Sequence, residues 1–211
     1  MGLSVAQQKG NGAVDGLELA KSQMIEAARR AYQRGIQTGT GGNLSARVPG
    51  EALMVVKPSG ISFIECTPDN LVVTDFDGKL VAGTGKPSRE ALLHGALYRA
   101  VPALGGVVHC HSPWSIAWGL KKRDLPLITY HSQLKFGVPL PTLNVEAPVV
   151  PAEAFPQITA LFAEHPKLPG FLLVAHGVVA VGRDAIAAEH VAELVEETAQ
   201  IAFLHALDTR A

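Results

Sequence analysis

The run Gly106-Val107-Val108-His109-Cys110-His111 constrains this chain most. It follows Pro102, is too short for a helix of its own, and is apolar without alternation, so the expectation is a strand buried within a sheet that carries two histidines to its end. Residues two apart on a strand share a face, which projects His109 and His111 together and turns Cys110 to the other side. A third histidine, His176, follows the apolar run Phe171–Ala175, beside a glycine that lets the backbone turn sharply. Three neutral imidazoles suit zinc or another late first-row ion and leave coordination positions open for a substrate. On spacing alone, the same histidines also fit ordinary core or surface roles.

The rest of the chain supplies the sheet and its cover. Strand-like runs at Leu44–Val48 and Ala52–Val56 precede Leu71–Phe76 and Lys79–Ala82, which Asp77-Gly78 joins as a two-residue hairpin. Phe171–Ala175 and Val178–Val181 form another strand pair, and Leu127–Tyr130 a short extended piece. Apolar residues at helical spacing predict a first helix over Leu17–Tyr32, stopped by Gly35. Further helices are expected at Arg89–Ala100 with Ser88 as its cap, at Ser112–Leu120, at Pro151–Ala163 and at Arg183–Leu207. Antiparallel hairpins with helices before, between and after them predict a three-layer α/β/α domain around a mainly antiparallel sheet. Met1–Gly16, small and polar, has neither the basic flank nor the apolar run of a signal peptide. The expected division is therefore a flexible tail over residues 1–15 and one domain over 16–211.

A chain of 211 residues that is 47% apolar buries one substantial core. Its 18 basic and 19 acidic residues nearly cancel, which removes the broad footprint of a nucleic-acid or anionic-membrane binder. An anion must then be bound locally. Two cysteines, Cys66 and Cys110, are too few for a disulfide framework, and no run reaches the roughly 18 apolar residues of a membrane span. A cytoplasmic location is expected.

Three turns offer an anion site: Gly41-Gly42-Asn43, Pro58-Ser59-Gly60 and Pro87-Ser88-Arg89 present backbone N–H, amide, hydroxyl and guanidinium donors. Glu90 stands in the first turn of a helix, where negative charge is favoured; it serves either that helix or chemistry.

Taken in order, Gly39-Thr40-Gly41-Gly42-Asn43, Lys57-Pro58-Ser59-Gly60-Ile61, Lys86-Pro87-Ser88-Arg89-Glu90, Val107-Val108-His109-Cys110-His111-Ser112 and Ala175-His176-Gly177 resemble the class II aldolase/adducin family from about Ala20 to Leu207. That resemblance implies a class II, divalent-metal-dependent lyase. His109, His111 and His176 match its metal ligands, for Zn2+ or another divalent ion such as Mn2+ or Co2+. Glu90 matches the acid/base carboxylate, and Gly42, Asn43, Ser59, Gly60, Ser88 and Arg89 fall at phosphate or substrate positions. Tyr130 aligns with a tyrosine that reaches a neighbouring subunit's site as a proton donor, within a homotetramer. The expected reaction is aldol cleavage of a phosphorylated ketose through a metal-bound enediolate, giving dihydroxyacetone phosphate and an aldehyde. The alternatives, in order, are decarboxylation of a 3-oxo-tetronate-4-phosphate-like sugar acid, 4-epimerisation or dehydration of a pentulose phosphate, and a non-enzymatic adducin-like domain. Two departures bear on substrate. Arg89 replaces a serine common in the aldolases, and the sequence stops soon after its last helix, without the extension that carries a further tyrosine in fuculose-phosphate aldolase. The arginine, with Glu193–Leu204, resembles the decarboxylase branch.

Overall fold

The structure, a computed structural model, describes residues 5–145 and 147–208. Strands β1 (Asn43–Arg47), β2 (Leu53–Val56), β3 (Val72–Asp75), β4 (Leu80–Ala82), β5 (Gly106–Cys110), β6 (Thr142–Leu143), β7 (Gly170–Leu173) and β8 (Gly177–Gly182) form one sheet in the order β4-β3-β2-β1-β5-β8-β7-β6. All neighbours are antiparallel except β6 and β7. The apolar run around Val107 thus lies in the middle, between β1 and β8, as a strand with both faces buried must.

Helices α1 (Val5–Gln33), α2 (Ala91–Ala100), α3 (Pro113–Gly119), α4 (Tyr130–Phe136), α5 (Phe155–Glu164) and α6 (Ala185–Asp208) complete the fold. Side-chain alternation assigns the layers. Ser45 of β1 meets His94 Nδ1 and Tyr98 Oη of α2 at 2.8 and 2.9 Å, so α2 covers the face to which Asn43, Ser45 and their cross-strand partners His109 and Val107 point. Cys110 points the opposite way and lies in the field of Glu189 and Glu196 on α6; α1 and α3 pack against α6 on that side. The expected α/β architecture, with helices flanking a central sheet, is the observed one.

Boundaries differ where propensity and packing diverge. Helix α1 begins at Val5 rather than Leu17, and the apolar stripe Ala20, Met24, Ala27, Ala28 and Ala31 is buried. Residues 1–4 of the expected tail lie outside the described residues. Helix α2 starts at Ala91, and Ser88 acts one step earlier, its Oγ accepting the Glu90 N–H at 3.3 Å. Tyr130 opens α4 instead of ending an extended piece. Thr129 Oγ1 accepts the Ser132 N–H at 3.1 Å and Gly137 closes the helix at φ +74°, a short cap-to-cap unit with too few residues to show a period. The β3–β4 turn closes through Asp75 N–H to Lys79 O at 3.0 Å with Gly78 at φ +72°, so it holds three residues rather than two.

Helix α2 packs closely on that turn. A Cβ at Gly95 would collide with the Phe76 carbonyl. Gly95→Ala should therefore destabilise the fold by about 3 kcal/mol. In a thermal melt that is a loss of roughly 6–12 °C for a domain of this size.

Candidate metal centre and active site

Pairing of β5 with β8 places His109 opposite Val179, and the turn between β7 and β8 carries His176 back over the same strand end. Gly177 sits at φ +129°, and a Cβ there would strike the Cys110 carbonyl; only glycine allows the hairpin to lie this close to β5. The ligand nitrogens of His109, His111 and His176 consequently fall within 4.8 Å of one another. Their ring centroids are 4.6 to 5.0 Å apart. His109 and His111, adjacent on one face by the period of a strand, are thereby joined by the third.

The donor set suits a divalent ion. His109 Nδ1 lies 2.9 Å from the Val178 carbonyl, which can only accept, so Nδ1 carries the proton and Nε2 presents its lone pair to the cluster. Burial, only partly opposed by Glu90, depresses the His109 pKa to about 4 and keeps the ring neutral as a ligand must be. Burial and the nearby His176 also lower His111. His109 Nε2 and His176 Nε2 are 3.3 Å apart, close to the separation expected for two nitrogens each about 2.0–2.1 Å from one tetrahedral ion. The backbone N–H of His111 is held by Gln37 Oε1 at 2.8 Å, and a Cβ on Gly41 would press to 3.0 Å from His111 Nδ1, so the glycine-rich loop supports this ligand directly.

Glu90 caps α2 beside the cluster, with Oε2 3.5 Å from His109 Nε2. The same oxygen accepts from Asn43 Nδ2 at 2.7 Å, and Oε1 accepts the Val150 N–H at 3.2 Å. Burial pushes this carboxyl up, but the Asn43 and Val150 hydrogen bonds, joined by His109 when that ring is protonated, outweigh it and hold the pKa below the usual value, so the group is ionised and able to take a proton.

Beside Glu90 opens a cavity of about 340 Å³, lined by Gly42, Asn43, Ser59, Gly60, Ser88, Arg89, Glu90, His111 and His176. The turns at Ser59 and Ser88 are stitched together through Ser59 N–H to Lys86 O at 2.8 Å and Ser59 Oγ to Pro87 O at 3.1 Å. His109 is fully buried behind His176 and Glu90 and is not part of the lining. Tyr130 lies outside this lining, 91% exposed on α4.

Two residues escaped the sequence reading as site residues. Lys57 closes β2 into the cavity, buried, with Nζ 2.7 Å from Ile61 O and 3.2 Å from Pro58 O, and burial lowers its pKa. Its signal was present, a lone charge ending an apolar strand just before a glycine turn. Gln37, buried between loop and strand, carried none.

The Class II Aldolase and Adducin N-terminal domain family matches residues 22–203. An L-ribulose-5-phosphate 4-epimerase, UlaF, of Salmonella paratyphi B is 34% identical over 200 residues, spanning 89% of this chain and 86% of that protein. The crystal structure of YgbL from Escherichia coli superposes with a TM-score of 0.78 at 31% identity, over 90% of each chain. An L-fuculose 1-phosphate aldolase follows at 0.77 and 26%, covering 88% of this chain and 85% of that one. Among the described residues no helix is long and apolar enough to cross a membrane. The imidazole triad, the adjoining carboxylate and the glycine turns that hold them are thus borne on a matching sequence and fold, and the chain belongs to the class II aldolase/adducin family, whose enzymes depend on divalent metals.

Proposed function

We propose that this protein breaks a carbon–carbon bond next to the ketone of a phosphorylated keto sugar or keto sugar acid. The observation that carries the reading is the ionised Glu90 carboxylate, 3.5 Å from a ligand nitrogen, on the wall of a cavity whose other wall is basic and rich in N–H and O–H donors. Held by His109, His111 and His176, a divalent ion, Zn2+ by its ligand set, would supply Lewis-acid stabilisation for the negative charge left on the ketone side when the bond breaks. The chain's own groups do the rest. Ser59, Ser88, Arg89 and the N–H groups of the turns anchor the phosphate, with the Lys57 charge behind them bonded to backbone carbonyls, and this orients the bond to be broken over the histidines. Glu90 takes the proton of the hydroxyl whose carbon departs as an aldehyde; where carbon dioxide departs instead, the carbon left behind takes its proton from solvent, relayed through Glu90.

The experiment is a screen of phosphorylated ketoses and 3-oxo sugar-acid phosphates with metal-loaded protein, scoring triose phosphate and carbon dioxide separately. Release of neither would sink the reading. A second reading, 4-epimerisation of a pentulose phosphate, is favoured by the 34% identity to a protein with that activity. The same groups would serve it, since cleavage, rotation of the aldehyde and re-addition invert the carbon. It is recognised by a changed sugar with no cleavage product. Tyr130, exposed on α4 one turn from the exposed Leu134, fits a residue lent to a neighbouring subunit in a homotetramer.

Arg89 is exposed at the cavity wall and belongs to the anion cradle in this reading. Arg89→Ser removes a charge-assisted contact of about 1.5–3 kcal/mol. The expected result is a roughly ten- to hundredfold weaker KM for phosphorylated substrates. Bound metal should be unchanged; an unaltered KM would exclude the arginine from the cradle.

A further inference from the structure

A second cavity, of about 600 Å³, opens on the other side of the same histidines. It shares His111, Pro148 and His176 with the phosphate cradle but is otherwise walled mainly by apolar side chains, among them Ile116, Val145 and Val174. Its one charged side chain apart from the histidines, among the described residues, is Lys122. Among the described residues no carboxylate lines it, and Lys122 makes no ion pair or side-chain hydrogen bond with any of them.

Backbone conformation marks the same place. Among the described residues two that are not glycine have positive φ, Lys122 at +53° and Ala175 at +56°, and both line this cavity. Such conformations cost energy in residues with a Cβ and persist where the surroundings enforce them, commonly at binding sites. Here the enforcement is visible. The N–H groups of Lys121 and Lys122 bond back to Trp118 O and Gly119 O at 2.8 and 2.9 Å, while Gly119 abuts Leu173 and Val174 so closely that a Cβ would lie 3.2 Å from the Leu173 carbonyl. The turn that presents Lys122 is therefore fastened to the hairpin that presents His176.

We infer that this cavity is the subsite for the end of the substrate opposite its phosphate, and that Lys122 holds a carboxylate there, which makes the substrate class sugar-acid phosphates with an anion at each end. The inference rests on the function proposed above. Cations then stand on both sides of the histidines, Arg89 and Lys57 toward the phosphate and Lys122 toward the carboxylate, so that a dianionic chain is stretched across the metal site. Lys122 is exposed at the rim of this cavity, and discrimination between such an acid and a neutral ketose phosphate follows from the ion pair that only the acid can form with it.

The test is calorimetric binding to zinc-loaded protein of two unreactive ligands, erythronate 4-phosphate and erythritol 4-phosphate, which differ only in a carboxylate against a hydroxymethyl end. Wild type should bind the acid at least about tenfold more tightly. Lys122→Gln should bring the ratio to within about twofold of unity with zinc stoichiometry and affinity for inorganic phosphate unchanged, Lys122→Arg should retain the preference, and Arg89→Ser should weaken both ligands alike. Equal binding of the two ligands by wild type, or a preference that survives in Lys122→Gln, overturns the carboxylate subsite alone. Zinc-loaded protein that binds neither ligand overturns the phosphate cradle and the subsite together, and protein that takes up no zinc overturns the metal site on which both stand.

Discussion

Glu90→Gln should retain bound metal and lose turnover by about 10²- to 10⁴-fold, the usual contribution of a positioned acid or base. The substitution keeps the shape of the side chain but removes its charge and its capacity to take a proton. Both of its partners, Asn43 Nδ2 and the Val150 N–H, are donors, one to each carboxylate oxygen. An amide can satisfy only one of them with its oxygen, so a stability loss of about 1–3 kcal/mol should accompany the kinetic one. The two effects separate experimentally. Metal content and the melting curve report the site and the fold, while kcat reports the proton transfer. A variant with kcat within twofold of wild type would remove Glu90 from the chemistry and leave it a buried carboxylate that ties Asn43 to Val150.

The second large effect is expected at His109. It is buried, its Nδ1 is committed to Val178 O, and its Nε2 lies nearest to both His176 and Glu90. His109→Ala leaves two imidazoles and a cavity behind His176 and Glu90. Losing an outer partner of a ligand typically costs 10- to 100-fold in metal affinity; losing the ligand should exceed about 100-fold, measured by competition with a chromogenic chelator. Activity should fall with metal occupancy and recover in part at high metal concentration. Wild-type affinity in His109→Ala would mean that the triad is not the metal site.

How much of this was legible before folding differed from one residue to the next. The pairing of His109 with His111 followed from the two-residue period of a strand, and Cys110 does lie on the opposite face, under α6. Strands β1, β2, β3, β5 and β8 were each anticipated to within a residue or two by their apolar runs. Helix α4 and strand β6 were not, since units of seven and two residues carry no measurable period and are held by caps and by a neighbour already in place. Lys57 carries a local signal as a charge that ends an apolar strand, but nothing along the chain reveals that backbone carbonyls from two loops surround its ammonium. Gln37 was invisible for a stronger reason: its role is to accept the N–H of a residue 74 positions away.

The order of residues by itself determined the longer elements, the shared face of two histidines and the turns with donors enough to hold an anion, all of which depend on contacts within a few positions along the chain. Tertiary structure alone decided that His176 closes on His109 across 67 residues, that Glu90 hangs from Asn43 and Val150, and that Lys122 faces the far side of the same cluster. The physical reason is register: sliding β8 against β5 by one residue would leave every local preference satisfied and yet turn each side chain to the other face, so the convergence of the site is set by how the sheet assembles.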